Sequence, residues 1–256
     1  MDYKIDSLIT RGMMHELRCE DDYMIFDNDE IIISAVFDGC SSGIDSHYAS
    51  TFLRKKLNEY LEDNSIYIIR EDENRNFPYK SCDETLKGIL EYLHSCIPYS
   101  ETEYLSTCVM CYINKETYEY SILFAGDGEC CIDGKRHIVH DKEGNAVRYL
   151  STVKTYSDFN EYYDKYCKKY SGIFNESLII STDGIGSFID KFNADKSELA
   201  RSLFYGEGEI KIDERFMKLP LKRQYNILSN GRIFKENEKI PVKNLDDFTI
   251  IKIMSV

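Results

Sequence analysis

Four acidic positions along this chain stand where a fold could aim them at one reaction. Glu20-Asp21 precede a predicted strand, Asp38 ends a second, Asp183 follows a third, and Asp246-Asp247 introduce the last. A carboxylate just past a buried apolar strand is held rigidly at the rim of a sheet. Several such rims brought together would make an oxygen-only site, the donor set that Mg²⁺ or Mn²⁺ takes. Two divalent ions about 3.5–4 Å apart acidify a water and clamp phosphoryl oxygens. Phosphomonoester hydrolysis, among the slowest uncatalysed reactions, demands charge stabilisation on that scale. Taken singly, each Asp has a plainer explanation, because strand ends turn to solvent and Asp caps turns.

The elements that must carry these residues follow from hydrophobic pattern. Residues 3–10, 22–27 and 30–37 read as strands, the last two split by Asn28-Asp29, a hairpin signal. The run I-I-I-S-A-V-F is β-branched and nearly continuous, which predicts a buried central strand. Apolar residues at three- and four-residue spacing predict helices over 45–61 and 83–97, with a polar loop over 62–80. Ser81 and Glu84 offer a capping box to the second helix. Strands are expected over 105–113, 117–125, 129–132 and 177–182, with Asp133-Gly134 as a turn and a final strand over F-T-I-I-K-I-M. Further helices are expected over 157–170, capped by Ser157, near 194–204, and over 213–229, with Gly231 as its C′ residue. Hairpins with paired helices argue for an α+β fold. With no Pro/Gly/Ser-rich linker, residues 1–256 are expected to form a single domain.

Local motifs give the acidic residues a shared context. V-F-D-G-C-S-S-G-I-D-S-H-Y-A-S at 36–50 resembles the D-G signature of bacterial PPM/PP2C-type metal-dependent Ser/Thr protein phosphatases, with Asp38, Gly39, Ala49 and Ser50 in register. R-C-E-D-D at 18–22 resembles that family's N-E-D element, and L-S-T at 105–107 its G-[ST]-T. F-A-G-D-G at 124–128 resembles G-D-S-R, L-I-I-S-T-D-G-I at 178–185 resembles L-L-A-S-D-G-L, and D-D-F-T at 246–249 resembles D-N-x-T. Each fragment is weak alone; six in family order span nearly the whole chain.

The resemblance implies two antiparallel sheets packed as a β-sandwich flanked by helices on both faces, with a binuclear Mn²⁺ or Mg²⁺ centre. Asp38 would bridge the metals and Gly39 would add its backbone carbonyl. Asp183 and Asp246 would ligate one metal, while Glu20 and Asp21 would act mainly through metal-bound water. Asp127 and Asp183 would form a weaker third site. The implied activity is hydrolysis of phospho-Ser/Thr by metal-activated water, with a phosphorylated protein as substrate and a Ser/Thr kinase as a possible counterpart.

The chain departs from the family at several points. The Arg that often precedes the E-D pair falls on Glu16, and the nearest cations are Arg11 and Arg18. R-G-M-M-H resembles the G-x-x-H of a divergent bacterial subgroup, so His15 becomes a candidate for phosphate contact or proton donation, with Arg18 as the neighbouring cationic candidate for the catalytic site. For His15, a packing histidine is the competing explanation. Ser41 and Ser42 replace glycines, Glu129 replaces the Arg of G-D-S-R, and Ser187 stands where some members carry an acid. These losses keep a second reading open, a catalytically impaired pseudophosphatase serving as a binding module. A third, an unrelated metal-dependent hydrolase such as a nuclease, fits neither the charge nor the motif order.

Composition narrows the partners. A formal charge of −13 with scattered cations argues against nucleic-acid binding. No apolar run approaches the roughly 20 residues of a membrane span. Nine cysteines, an odd number without framework spacing, favour free thiols in a cytoplasmic setting. Cys108, Cys111, Cys130 and Cys131 suggest a zinc site, but 108 and 111 would point to opposite faces of a strand, so buried thiols are the better expectation. Phe188, Phe192 and Tyr205 fall where the family has a variable flap, and would shape substrate choice or fill core.

Overall fold

A computed structural model describes residues 3–15, 18–40, 46–69, 81–98, 104–139, 149–151, 158–190, 192–206, 212, 214–230 and 241–256. The chain divides into two compact units, one of residues 1–19, 129–138 and 176–256, the other of 20–128 and 139–175.

The second unit is built on a five-stranded antiparallel sheet. β2 (Asp21–Asp27), β3 (Ile31–Gly39), β4 (Ser106–Asn114), β5 (Glu119–Ala125) and β8 (Lys168–Ile173) lie in that order. The apolar run of β3 is central, and Ile31 through Phe37 are all buried. Two helices cover one face, α1 (Ser46–Ile69) and α2 (Cys82–Cys96). Leu53, Leu57 and Leu61 of α1 join Leu86, Ile89, Leu90 and Leu93 of α2 and Phe37 of β3 in one core cluster. Burying a large aliphatic side chain contributes about 1.5–3 kcal/mol, so this seam outweighs helix propensity in holding α1 and α2. Ser81 caps α2 as its sequence predicts, accepting from the Glu84 amide at 3.2 Å.

The first unit carries the other sheet, in the order β1 (Tyr3–Thr10), β12 (Phe248–Ser255), β9 (Ser177–Ser181), β6 (Gly128–Ile132) and β7 (Lys135–Val139). A short pair, β10 (Phe188–Asp190) with β11 (Val242–Asn244), stands apart. Its core gathers Phe188, Leu199, Leu203, Phe204 and Phe248 around α4 (Ser197–Tyr205). The α+β class with two antiparallel sheets agrees with the sequence pattern.

Several boundaries differ from expectation. The helix expected over 157–170 is α3 (Phe159–Tyr166), capped by Asp158; Ser157 lies outside the described residues. Residues 168–173 instead pair with β5, where Glu119 faces Ile173 and Phe124 faces Lys168. The tyrosine spacing continues past Tyr166, but open hydrogen-bonding groups on β5 claim the backbone. The α1 helix runs on to Ile69, where a loop was expected. The helix expected over 213–229 breaks into α5 (Glu214–Met217) and α6 (Leu221–Ser229). Pro220 between them has no N–H to continue the ladder. Gln224 Nε2 donates to the Met217 and Leu219 carbonyls left by that break. Gly231 lies outside the described residues. No helix among the described residues is long and apolar enough to cross a membrane.

Candidate functional site

In the second unit the acidic residues meet at one end of β2 and β3. Asp21 lies directly opposite Asp38 in the antiparallel register, and Asp38 is in turn opposite Thr107 of β4. The Gly39 amide donates to the Glu20 carbonyl at 3.1 Å, which closes the end of that ladder. Ser50 of α1 donates its hydroxyl to the same carbonyl at 2.5 Å, so the downstream part of the D-G signature holds Glu20 in place. Asp22 pairs with Arg54 at 2.7 Å. Asp127 follows Gly126, whose φ of +101° favours glycine and whose missing side chain leaves room for Thr107. A Cβ there would lie 2.8 Å from the Thr107 methyl, so the L-S-T and G-D-G motifs fit as a pair.

Tyr149, which sequence reasoning did not single out, belongs to this group. Burial first, then the Cys40 side chain and the carboxylates of Asp127 and Asp38, push its hydroxyl far above the usual tyrosine range. Its signal was invisible in sequence because it stands outside every motif.

In the first unit, His15 and Asp246 come together, and the turn that Asp183 opens packs on the backbone of Asp247. Asp183 opens a 3₁₀ turn, Asp183–Ser187, after β9. A Cβ on Gly184 would lie 1.7 Å from the Asp247 carbonyl oxygen, so only glycine lets the two acidic turns touch. Gly12 is equally constrained, since a Cβ would come within 2.3 Å of the backbone of Leu245 and Asp246. The Gly12–His15 turn is fastened to this backbone, with Met13 and Met14 amides donating to the Asn244 and Leu245 carbonyls. His15 Nδ1 lies 2.8 Å from Asp247 Oδ2, and Nε2 lies 3.5 Å from Asp246 Oδ1. Arg18 is exposed in the same unit.

Three departures from the family pattern find partners here. Asp247, in place of Asn, is buried and also accepts from the Gly12 amide at 2.6 Å. Ser187, in place of an acid, accepts from the Asp246 amide at 3.1 Å and donates to the Gly184 carbonyl at 2.7 Å. Glu129, in place of Arg, is buried against Arg201 of α4, whose Nε lies 3.1 and 3.0 Å from its two oxygens. Ser41 and Ser42 lie outside the described residues, as does Glu16.

The donors suit a hard divalent cation in type, all of them oxygens. Asp21 and Asp38 face each other as like charges, an arrangement that a bound cation would relieve. Among the described residues, no group of three or more His, Cys, Asp or Glu side chains stands at metal-holding spacing. The nine cysteines are free thiols, and 108, 111, 130 and 131 are all buried. Of the flap residues, Phe188 and Tyr205 are buried and Phe192 is exposed.

No family model matches the chain, and no curated protein matches it in sequence. Solved structures do. RsbX in complex with magnesium is similar over 98% of this chain and 94% of its own, with TM-score 0.54 and 14% identity. The photosystem II phosphatase PBCP is similar over 100% and 99%, with TM-score 0.58 and 13% identity. A mutant bacterial serine phosphatase is similar over 99% and 98%, with TM-score 0.57 and 16% identity. Strand-end carboxylates, two antiparallel sheets and these likenesses agree, and the fold of the chain is that of the PPM/PP2C-type phosphatases.

Proposed function

We propose that the chain acts over its whole length as one Mn²⁺- or Mg²⁺-dependent phosphatase of phospho-Ser/Thr proteins. The observation that carries this reading is the direct opposition of Asp21 and Asp38 at the end of β2 and β3. Two like charges in register destabilise a bare hairpin by up to about 1 kcal/mol, and a cation site explains why both are there. The neighbours add support, because RsbX is described with magnesium and others are named as serine or photosystem II phosphatases.

Asp38 and the Gly39 carbonyl would hold two cations with Asp183 and Asp246, and Glu20 and Asp21 would bind their waters. Asp127 with Asp183 would hold a weaker third. When bound, the ions supply Lewis acidity toward the phosphoryl oxygens. His15 has Nδ1 2.8 Å from Asp247 Oδ2 and Nε2 3.5 Å from Asp246 Oδ1, and its imidazole would protonate the departing seryl oxygen. Arg18 would contact the phosphate. The surroundings would be cytoplasmic, with a Ser/Thr kinase supplying the phosphoprotein.

The test is Mn²⁺-stimulated hydrolysis of an aryl phosphate and of phosphopeptides, abolished by EDTA. Asp38→Ala should remove activity and leave the chain folded. Metal binding without turnover on a broad phosphopeptide panel would sink the enzymatic reading. One observation favours the pseudophosphatase alternative: Asp246, a proposed ligand, already has His15 Nε2 3.5 Å away. Calorimetric titration with Mn²⁺ separates the two, since two defined sites favour the enzyme and none favours the module.

A further inference from the structure

His15 N–H donates back to the Gly12 carbonyl at 3.3 Å, which makes Gly12–His15 a β-turn with Met13 and Met14 at its two tip positions. Exposed turn tips take Gly, Asn, Asp, Ser or Pro, each for a backbone reason. Methionine offers none of these. Both side chains point to solvent, Met13 57% exposed and Met14 72% exposed, so neither is there to fill a core. The turn is also rigid at its base, through Gly12 pressed on Leu245 and Asp246 and the two amide bonds to Asn244 and Leu245.

We propose that Met13 and Met14 form the docking platform for apolar residues flanking the phosphorylated side chain of a protein substrate. This rests on the phosphatase reading. Met14 is next in sequence to His15, whose Nε2 faces Asp246, so a chain that delivers a phosphate to these groups crosses the turn tip. Unbranched, polarizable methionine adapts to varied apolar partners, which suits a surface that meets several sequences. The occupant is therefore an extended segment with Leu, Ile or Met beside its phosphoserine.

The test compares two phosphoserine peptides, one flanked by leucines and one by aspartates, on wild type and on Met13→Ser/Met14→Ser, with an aryl phosphate as control. The leucine peptide should show about tenfold lower KM on wild type, the scale of partly burying two such side chains. The double variant should lose that preference while its aryl phosphate turnover stays unchanged. Equal KM for the two peptides on wild type, or a preference that survives in the variant, overturns the proposal. Absent aryl phosphate turnover sinks the phosphatase reading instead. In that event fluorescence anisotropy with non-hydrolysable phosphonate versions of both peptides reads docking directly, and equal Kd for wild type and variant overturns the platform.

Discussion

Nδ1 of His15 lies 2.8 Å from Oδ2 of Asp247, whose side chain is fully buried. The family resemblance leads to Asn at 247, which would need no counter-charge. The acid here has the His15 ring beside one oxygen, and its other oxygen caps the Gly12 amide. The G-x-x-H turn and the second Asp of D-D-F-T are thus one interaction, and the histidine is a structural partner as well as a candidate for proton transfer.

That coupling predicts non-additive stability. His15→Ala takes a close polar neighbour from a buried carboxylate, and should lower unfolding free energy by about 3 kcal/mol. Asp247→Asn keeps an acceptor for the Gly12 amide and removes the charge, so His15→Ala/Asp247→Asn should recover at least half of that loss. Urea denaturation of the four proteins closes the cycle. Independent, additive effects would show that the contact carries no energy.

Glu129 and Arg201 offer a second cycle at a site remote from solvent. The guanidinium is nearly buried and grips the carboxylate through Nε, while Nη1 reaches Glu198 at 3.1 Å. Burial, and then the Glu129 charge, push the neighbouring Tyr205 hydroxyl well above its usual range. Removing one partner strands the other, so Arg201→Met should cost about 3–5 kcal/mol. Glu129→Met/Arg201→Met should be far milder, because an apolar pair of similar volume needs no counter-charge. Thermal denaturation distinguishes the outcomes, and a double variant no more stable than the single one refutes the pairing.

These partners mark where sequence reasoning stops. The strand ends bearing Asp38, Asp183 and Asp246 were legible, because β-branched runs and the D-G pairs announce them locally. Ser81 as a cap was legible for the same reason, with its partner three residues on. The contacts of Glu129, Asp247 and Ser187 join positions 72, 235 and 59 apart in sequence, and no local pattern encodes them. Strand β8 was missed because K-K-Y-S-G-I continues a tyrosine spacing that suits a helix, and only pairing with β5 overrides it.

Buried thiols and phenols set the alkaline limit of the fold. Burial pushes the Cys82 and Cys167 thiols from 9.0 up to about 11 and about 12, and the Tyr112 and Tyr163 hydroxyls from 10.0 up to about 12. The folded chain therefore keeps protons that the unfolded chain has released. This stability is fully present below pH 9 and is lost as pH rises from 9 to 12. Urea midpoints should be flat from pH 7.5 to 8.5 and fall steadily above 9. At pH 8, a thiol reagent should spare Cys108, Cys111, Cys130, Cys131 and Cys167 until denaturant is added. Midpoints that hold through pH 11 would count against it.

The opposition of Asp21 and Asp38 makes metal binding and metal-free stability respond to one substitution with opposite signs. Without cation, Asp38→Asn removes a like-charge rung between β2 and β3, and the variant should be more stable than wild type by about 0.5 kcal/mol. With Mn²⁺ at a hundred times its Kd, wild type should gain about 2.7 kcal/mol, because a ligand that binds only the folded state stabilises it by mass action. The amide is a poor substitute for a bridging carboxylate, so Asp38→Asn should gain little or nothing. Thermal melts of both proteins, with EDTA and with Mn²⁺, read the two effects without any assay of turnover. A purely structural Asp38 would make the variant less stable in EDTA and leave the Mn²⁺ response intact, the reverse on both counts.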